Sequence, residues 1–157
     1  MIWEDLNENL IVPDLDVKSS EDVFRTLGGK MISEGYCKNS YVDALIAREK
    51  DFPTGINMGE IGIAIPHTDK EHVKKGAVAI GVLKHPVHFF QMGTTDEPVD
   101  AKLIFMLAVE NPEEHLVFLQ RILMVLQDQN TLTKIMETGS KKEIIQVIKE
   151  KENSLAM

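Results

Sequence analysis

The spacing of apolar residues changes several times along the chain, and each change marks an element. "LIVPDLDV" reads as a short edge strand closed by Pro13. In "SSEDVFRTLGGKMISEG", Val23, Phe24, Leu27, Met31 and Ile32 recur at helical spacing, with Ser19 or Ser20 as cap and Gly35 as stop. "NSYVDALIAREKDFP" predicts a second helix, capped by Asn39 and ended by Phe52–Pro53. Tyr41, Ala44 and Leu45 form its apolar stripe, and Arg48 falls on the same stripe.

Beyond this point the period shortens. "EIGIAI", "KKGAVAIGVL" and the short "HPVHFF" each read as a strand, and "VDAKLIFMLAV" is a long, nearly unbroken apolar run. Runs this apolar imply a sheet covered on both faces. "ENPEEHLVFLQRILMVLQD" is a strong helix, with Asn111 as cap, Pro112 in the first position and Glu114 where a capping box wants it. "NTLTKIMETG" and "SKKEIIQVIKEKEN" add two short helices, the last fraying into a charged tail. The sum is an α/β fold with a mixed sheet of four or five strands and helices on both faces.

Length and charge narrow the function classes. The 157 residues fit one domain, 1–157, able to bury a core without disulfides or metals. No window reaches the roughly eighteen consecutive apolar residues of a membrane span. "MIWEDLNENL" has acidic residues where a secretion signal has basic ones, so a cytoplasmic protein with no direct membrane insertion is expected. A formal net charge of -8 argues against nucleic acid or an anionic membrane as partner. The single cysteine, Cys37, lacks any paired spacing and reads as a half-buried packing residue between two helices.

Five histidines carry the candidate chemistry. Neither "HPVH", with His85 and His88, nor the step from His67 to His72 sets two imidazoles on one helical face, so no metal is expected. His72, His85 and His88 read as surface residues. His67 differs because Pro66 fixes its own φ, restricts Ile65 and stops a buried strand. The next side chain is thereby held at the carboxyl end of the sheet, where open α/β sheets bind ligands. "TDKEHVKKG" then turns back, with Thr68 as a possible helical cap and free backbone N–H groups that suit an anion.

Taken in order, "AREKDFPTGINMGEIGIAIPHTD" and "VENPEEHLVFLQ" resemble enzyme IIA of the bacterial sugar phosphotransferase system, fructose–mannitol class (type 2). The likeness rests on Ile63, Ala64, Ile65, Pro66 and His67 at a strand end, preceded by Arg48–Glu49 on a helix and by Pro53, Thr54 and Gly55 in a turn. It runs from "ENLIV" to the last helix. "ALIAREKDFPTGI", "VHFFQ" and "LAVENP" look most like the stand-alone galactitol-type proteins.

The resemblance implies a mannitol-IIA-like fold and a phosphocarrier. His67 would accept a phosphoryl group from the phosphohistidine of HPr and pass it to a cysteine of a IIB component, which feeds a membrane IIC. It matches His115 to the family's second histidine and Arg48 to its helix arginine, and it implies no cofactor. Much of the wider class has glycine after Pro-His, where this chain has Thr68 and Asp69.

Such chemistry needs a neutral imidazole with one nitrogen free, its tautomer fixed by an acceptor on the other; Asp69 or a backbone carbonyl are the candidates. His115, near a helix N-terminus, would donate a hydrogen bond to the phosphoryl group. Arg48 would contact phosphate oxygens or a carboxylate, and Glu49 reads as a solvated helix residue. The alternative function is a regulatory, nitrogen-type IIA module whose phosphorylation state controls partner proteins.

Overall fold

The computed structural model describes residues 2–94 and 96–155. After a 3-10 turn (Ile2–Asp5) the chain enters β1 (Leu6–Leu15). Ser19 caps the next segment, its side chain accepting from the Asp22 N–H. The one helix expected there is three pieces in line: α1 (Ser20–Val23), a π turn (Phe24–Gly28) and α2 (Gly29–Ser33). Gly28 lets the next helix approach closely, since a Cβ on it would lie 2.8 Å from Val42 Cγ2.

That helix, α3, spans Tyr41–Asp51 and is preceded at its cap by Ser40, not the expected Asn39. Asn39 is taken up in a turn closed by the Tyr41 N–H on the Lys38 carbonyl. Ser40 makes no cap bond, and its Oγ lies 2.8 Å from His72 Nδ1. Cys37, in a bridge to Val73, is fully buried rather than half-buried. Burial pushes its thiol up to about 12, which leaves it inert at neutral pH.

The sheet follows. A hairpin joins β2 (Gly55–Met58) to β3 (Ile61–Ala64) through Gly59, whose φ of 75° suits glycine. Only β3 is legible as an apolar run; β2 is four residues long, starts on the Gly55 that the sequence places in a turn, and has no counterpart among the expected elements. The two strands expected in "KKGAVAIGVL" and "HPVHFF" are one, β4 (Ala77–Phe90). Its ladder is irregular between Val82 and Val87, and that gap is where Pro86, without an N–H, is tolerated. β5 (Pro98–Ala108) leads to α4 (Pro112–Leu126), α5 (Gln129–Glu137) and α6 (Lys141–Leu155).

Among the described residues five strands form one mixed sheet, in the order β1-β4-β5-β3-β2. β1 runs parallel to β4 and β3 parallel to β5, while β4 with β5 and β2 with β3 are antiparallel. Alternate residues feed two cores. Ala64, Ala79, Ile104 and Met106 face α1 to α3, whereas Ile63, Ile65, Ile80 and Phe105 face α4 to α6. β1 is an edge strand, as its proline suggests, but Pro13 does not close it: the strand runs on to Leu15, which pairs with Leu83 across an irregular step. No helix among the described residues is long and apolar enough to cross a membrane.

The expected fraying tail is instead tied down. Glu152 on α6 is buried and accepts from the N–H groups of Ile2 (3.0 Å) and Trp3 (2.7 Å). Because Glu152→Ala strands those two donors, we expect it to lower unfolding stability by about 1–3 kcal/mol. Urea denaturation reads this directly, and an unchanged midpoint would show that water replaces the carboxylate without cost.

Candidate active site

The parallel pairing of β3 with β5 places both carboxyl ends on the same edge of the sheet. From β3 the chain continues through Ile65 and Pro66 to His67; from β5 it passes into α4, whose fourth residue is His115. The Leu107 N–H on the Pro66 carbonyl extends the β3–β5 ladder to the residue before His67. The two imidazoles consequently meet, with ring centroids 4.1 Å apart and planes at 63°. Asn111 holds the start of α4 by accepting from the Glu113 N–H, which aims the first turn at this point.

α3 supplies the third side chain. The Tyr41 hydroxyl donates to the Leu107 carbonyl at 2.6 Å and pins α3 to β5, so Arg48, two turns on, overhangs the sheet edge. Arg48, His67 and His115 line a cavity of about 210 Å³ together with Thr68, Asp69 and Lys70. The Arg48 guanidinium lies 3.5 Å from an Asp69 oxygen and 4.9 Å from the Phe52 ring, and its Nε is buried without a partner among the described residues. All three sequence-predicted residues are thus in one place. Thr68 caps no helix: the short 3-10 turn there, Lys70–His72, is preceded by Asp69.

His67 Nδ1 lies 2.8 Å from the Ile65 carbonyl oxygen. A carbonyl only accepts, so Nδ1 carries the proton and Nε2 keeps its lone pair. Of the two acceptors considered from sequence, the ring takes the backbone carbonyl, and Asp69 faces Arg48. Burial lowers the His67 pKa from 6.5 to about 4; the bond to Ile65 opposes this, His115 and Arg48 reinforce it, and Asp69 opposes it. His115 is also lowered, by burial first and then by Arg48. Both rings are neutral at pH 7.

Glu49 and Thr54 carry part of the family resemblance in the sequence, which gives neither of them a role at the site and reads Glu49 as a solvated helix residue. The chain leaves the helical conformation at Phe52 (φ -131°, ψ 77°) and folds back, so that the Glu49 carboxylate accepts from the Thr54 N–H (2.7 Å) and hydroxyl (2.8 Å). Glu49 is therefore half-buried, not solvated. Burial pushes its carboxyl up to about 7, against the pull of the Thr54 bonds and of Arg48. The available signal was the Pro-Thr-Gly step five residues later, which forces a reversal just after the helix. His72 sits on Ser40, while His85 and His88 are exposed, His88 against the Phe90 ring at 4.7 Å.

Known proteins share this arrangement of elements. A family model described as phosphoenolpyruvate-dependent sugar phosphotransferase system, EIIA 2, matches residues 4–151. The galactitol-specific EIIA component of the PTS system of Escherichia coli (strain K12) is 36% identical over 123 residues, which cover 76% of this chain and 81% of that one. The crystal structure of IIA mannitol from Escherichia coli matches with a TM-score of 0.77 at 25% identity, over 91% of this chain and 98% of that one. The same fold, with a TM-score of 0.77 at 24% identity over 92% and 97% of the two chains, occurs in the Escherichia coli complex of enzyme IIAMTL with phosphorylated enzyme IIBMTL.

We expect the His67 ring to titrate near 4 in an NMR pH series, and a midpoint close to 6.5 would show that the ring is solvated. The unfolded chain takes up this proton near 6.5 and the folded protein only near 4, so His67 subtracts stability as pH falls through that window and leaves it unchanged above.

Proposed function

The chain belongs to the EIIA 2 family of the phosphoenolpyruvate-dependent sugar phosphotransferase system, and we propose that it is the cytoplasmic phosphocarrier of a galactitol-type or related polyol uptake system, with His67 as the acceptor. The observation that carries this reading is the His67 ring itself: neutral, held at Nδ1 by the Ile65 carbonyl, with Nε2 hydrogen-bonded to nothing among the described residues and Arg48 and His115 beside it.

In the accepting step the Nε2 lone pair attacks phosphorus on the phosphohistidine of HPr. A new N–P bond forms, the donor's N–P bond breaks, and the donor imidazole leaves with the electron pair. Nδ1 keeps its proton throughout, so no base is needed. In the donating step a cysteine thiolate of IIB attacks the same phosphorus, forming an S–P bond and releasing neutral His67. Arg48 balances charge on the equatorial oxygens, its unpartnered Nε being a spare donor, and His115 donates one further hydrogen bond. The 36% likeness to a galactitol-specific component supports uptake, through IIB and a membrane IIC, over the regulatory alternative.

With phosphoenolpyruvate, enzyme I and HPr, the protein should take up one acid-labile phosphoryl group and the His67→Ala variant none; label on that variant would overturn the assignment. His115→Ala should slow both steps by about 100-fold, the scale of losing one transition-state donor. An unchanged rate in rapid-quench assays would reduce His115 to packing.

Phe52 and Leu116 flank the site and are 60% and 59% exposed. An apolar collar on a chain of net charge -8 suits a transient partner with a convex apolar patch ringed by basic residues. Association with HPr should accordingly slow as salt rises, because charges beyond roughly 8 Å are screened at physiological ionic strength. Stopped-flow rates that stay flat from low to moderate salt would show that apolar contact alone drives docking.

A further inference from the structure

β2 and β3 pair in a register that sets Gly55 opposite Ala64 and Met58 opposite Ile61. One step further along the same register, Thr54 stands opposite Ile65, and half of that pair is made: the Ile65 N–H donates to the Thr54 carbonyl at 3.1 Å. In a continued antiparallel ladder the two residues exchange both bonds, so the Thr54 N–H would donate to the Ile65 carbonyl. It does not. It turns to Glu49 Oε2, at 2.7 Å, while the Ile65 carbonyl is left to accept from His67 Nδ1 at 2.8 Å.

We propose that Glu49 is a positioning residue for His67: by drawing the Thr54 N–H out of the β2–β3 ladder it reserves the Ile65 carbonyl for the imidazole, and so sets which ring nitrogen carries the proton. The proposal rests on the reading of His67 as phosphoryl acceptor. Glu49 touches neither His67 nor the phosphoryl group, and acts only through two peptide units. The second bond, from the Thr54 hydroxyl to Glu49 Oε1 at 2.8 Å, holds the carboxylate in the plane that reaches the N–H. Charge is not what the clamp requires. A protonated carboxyl, or an amide, still accepts from the N–H through one oxygen and donates to the Thr54 hydroxyl through its other group.

The test is the tautomer of His67, read from the two ring 15N shifts of the whole protein at neutral pH, beside the rate of phosphoryl uptake from HPr. Wild type should show a proton on Nδ1 alone. Glu49→Ala should let the Thr54 N–H return to the Ile65 carbonyl, give a mixed tautomer and slow uptake by about 10–100-fold, the usual scale for losing a group that orients a reacting ligand. Glu49→Asp keeps the charge but is one methylene too short, and should do the same, so the test survives if the alanine variant fails to fold. Glu49→Gln should restore both tautomer and rate. A folded Ala or Asp variant with His67 still protonated only on Nδ1, or a Gln variant that behaves like Ala, overturns the proposal. The ring shifts need no phosphoryl donor, so a failure of the acceptor reading shows separately, as absent uptake by a wild type whose tautomer is fixed.

Discussion

One peptide carbonyl, that of Ile65, is the point on which the site depends. Its residue is fully buried, its N–H is tied to Thr54 just before β2, and the next carbonyl along, that of Pro66, is tied to β5. The backbone on both sides of the Ile65 carbonyl is therefore fixed by main-chain bonds before any side chain is considered. An imidazole two residues downstream can reach it only by curling back, and in doing so it presents its other nitrogen to the cavity. Proline makes the reversal possible. It cannot donate to a ladder and confines φ, so the strand cannot run on past His67.

The same sheet edge explains why three residues far apart in sequence converge. Parallel strands deliver their carboxyl ends together, and β3 and β5 are the parallel pair at the middle of the site. Arg48 arrives from the opposite layer because α3 is anchored to β5 by the Tyr41 hydroxyl. Burial then disfavours charge on both rings, while the guanidinium beside them is a cation that no pH in the working range can discharge.

Much of this was legible from residue order. The apolar-Pro-His strand end, the long apolar run before Asn111 and the stripe bearing Arg48 each reported a real element, and the structure brings Arg48, His67 and His115 to one cavity. What escaped was tertiary. Glu49 follows an arginine at the end of a helix, where a carboxylate normally meets water, and only the reversal at Phe52 carries Thr54 back over it. β2 is too short to show a period of two. Pro86 suggested a break in β4, yet the strand crosses it because an irregular ladder asks nothing of that N–H. The buried Glu152 lay in a lysine-rich tail whose charge pattern matched a solvated helix.

Because the His67 ring is held by peptide groups, most of the rim around it has no part in placing that ring; Asp69 and Phe52, which contact Arg48, are the exceptions. Thr68, Asp69 and Lys70 lie outside the two cores, and Phe52 and Leu116 are largely in solvent. Substitutions at Thr68, Lys70 or Leu116 can redraw the outline of the cavity mouth while His67 Nε2 stays where it is. Such a division separates the evolution of the rim from that of the ring it surrounds, and it gives an engineer a frame in which the face around a histidine can be rewritten without moving it.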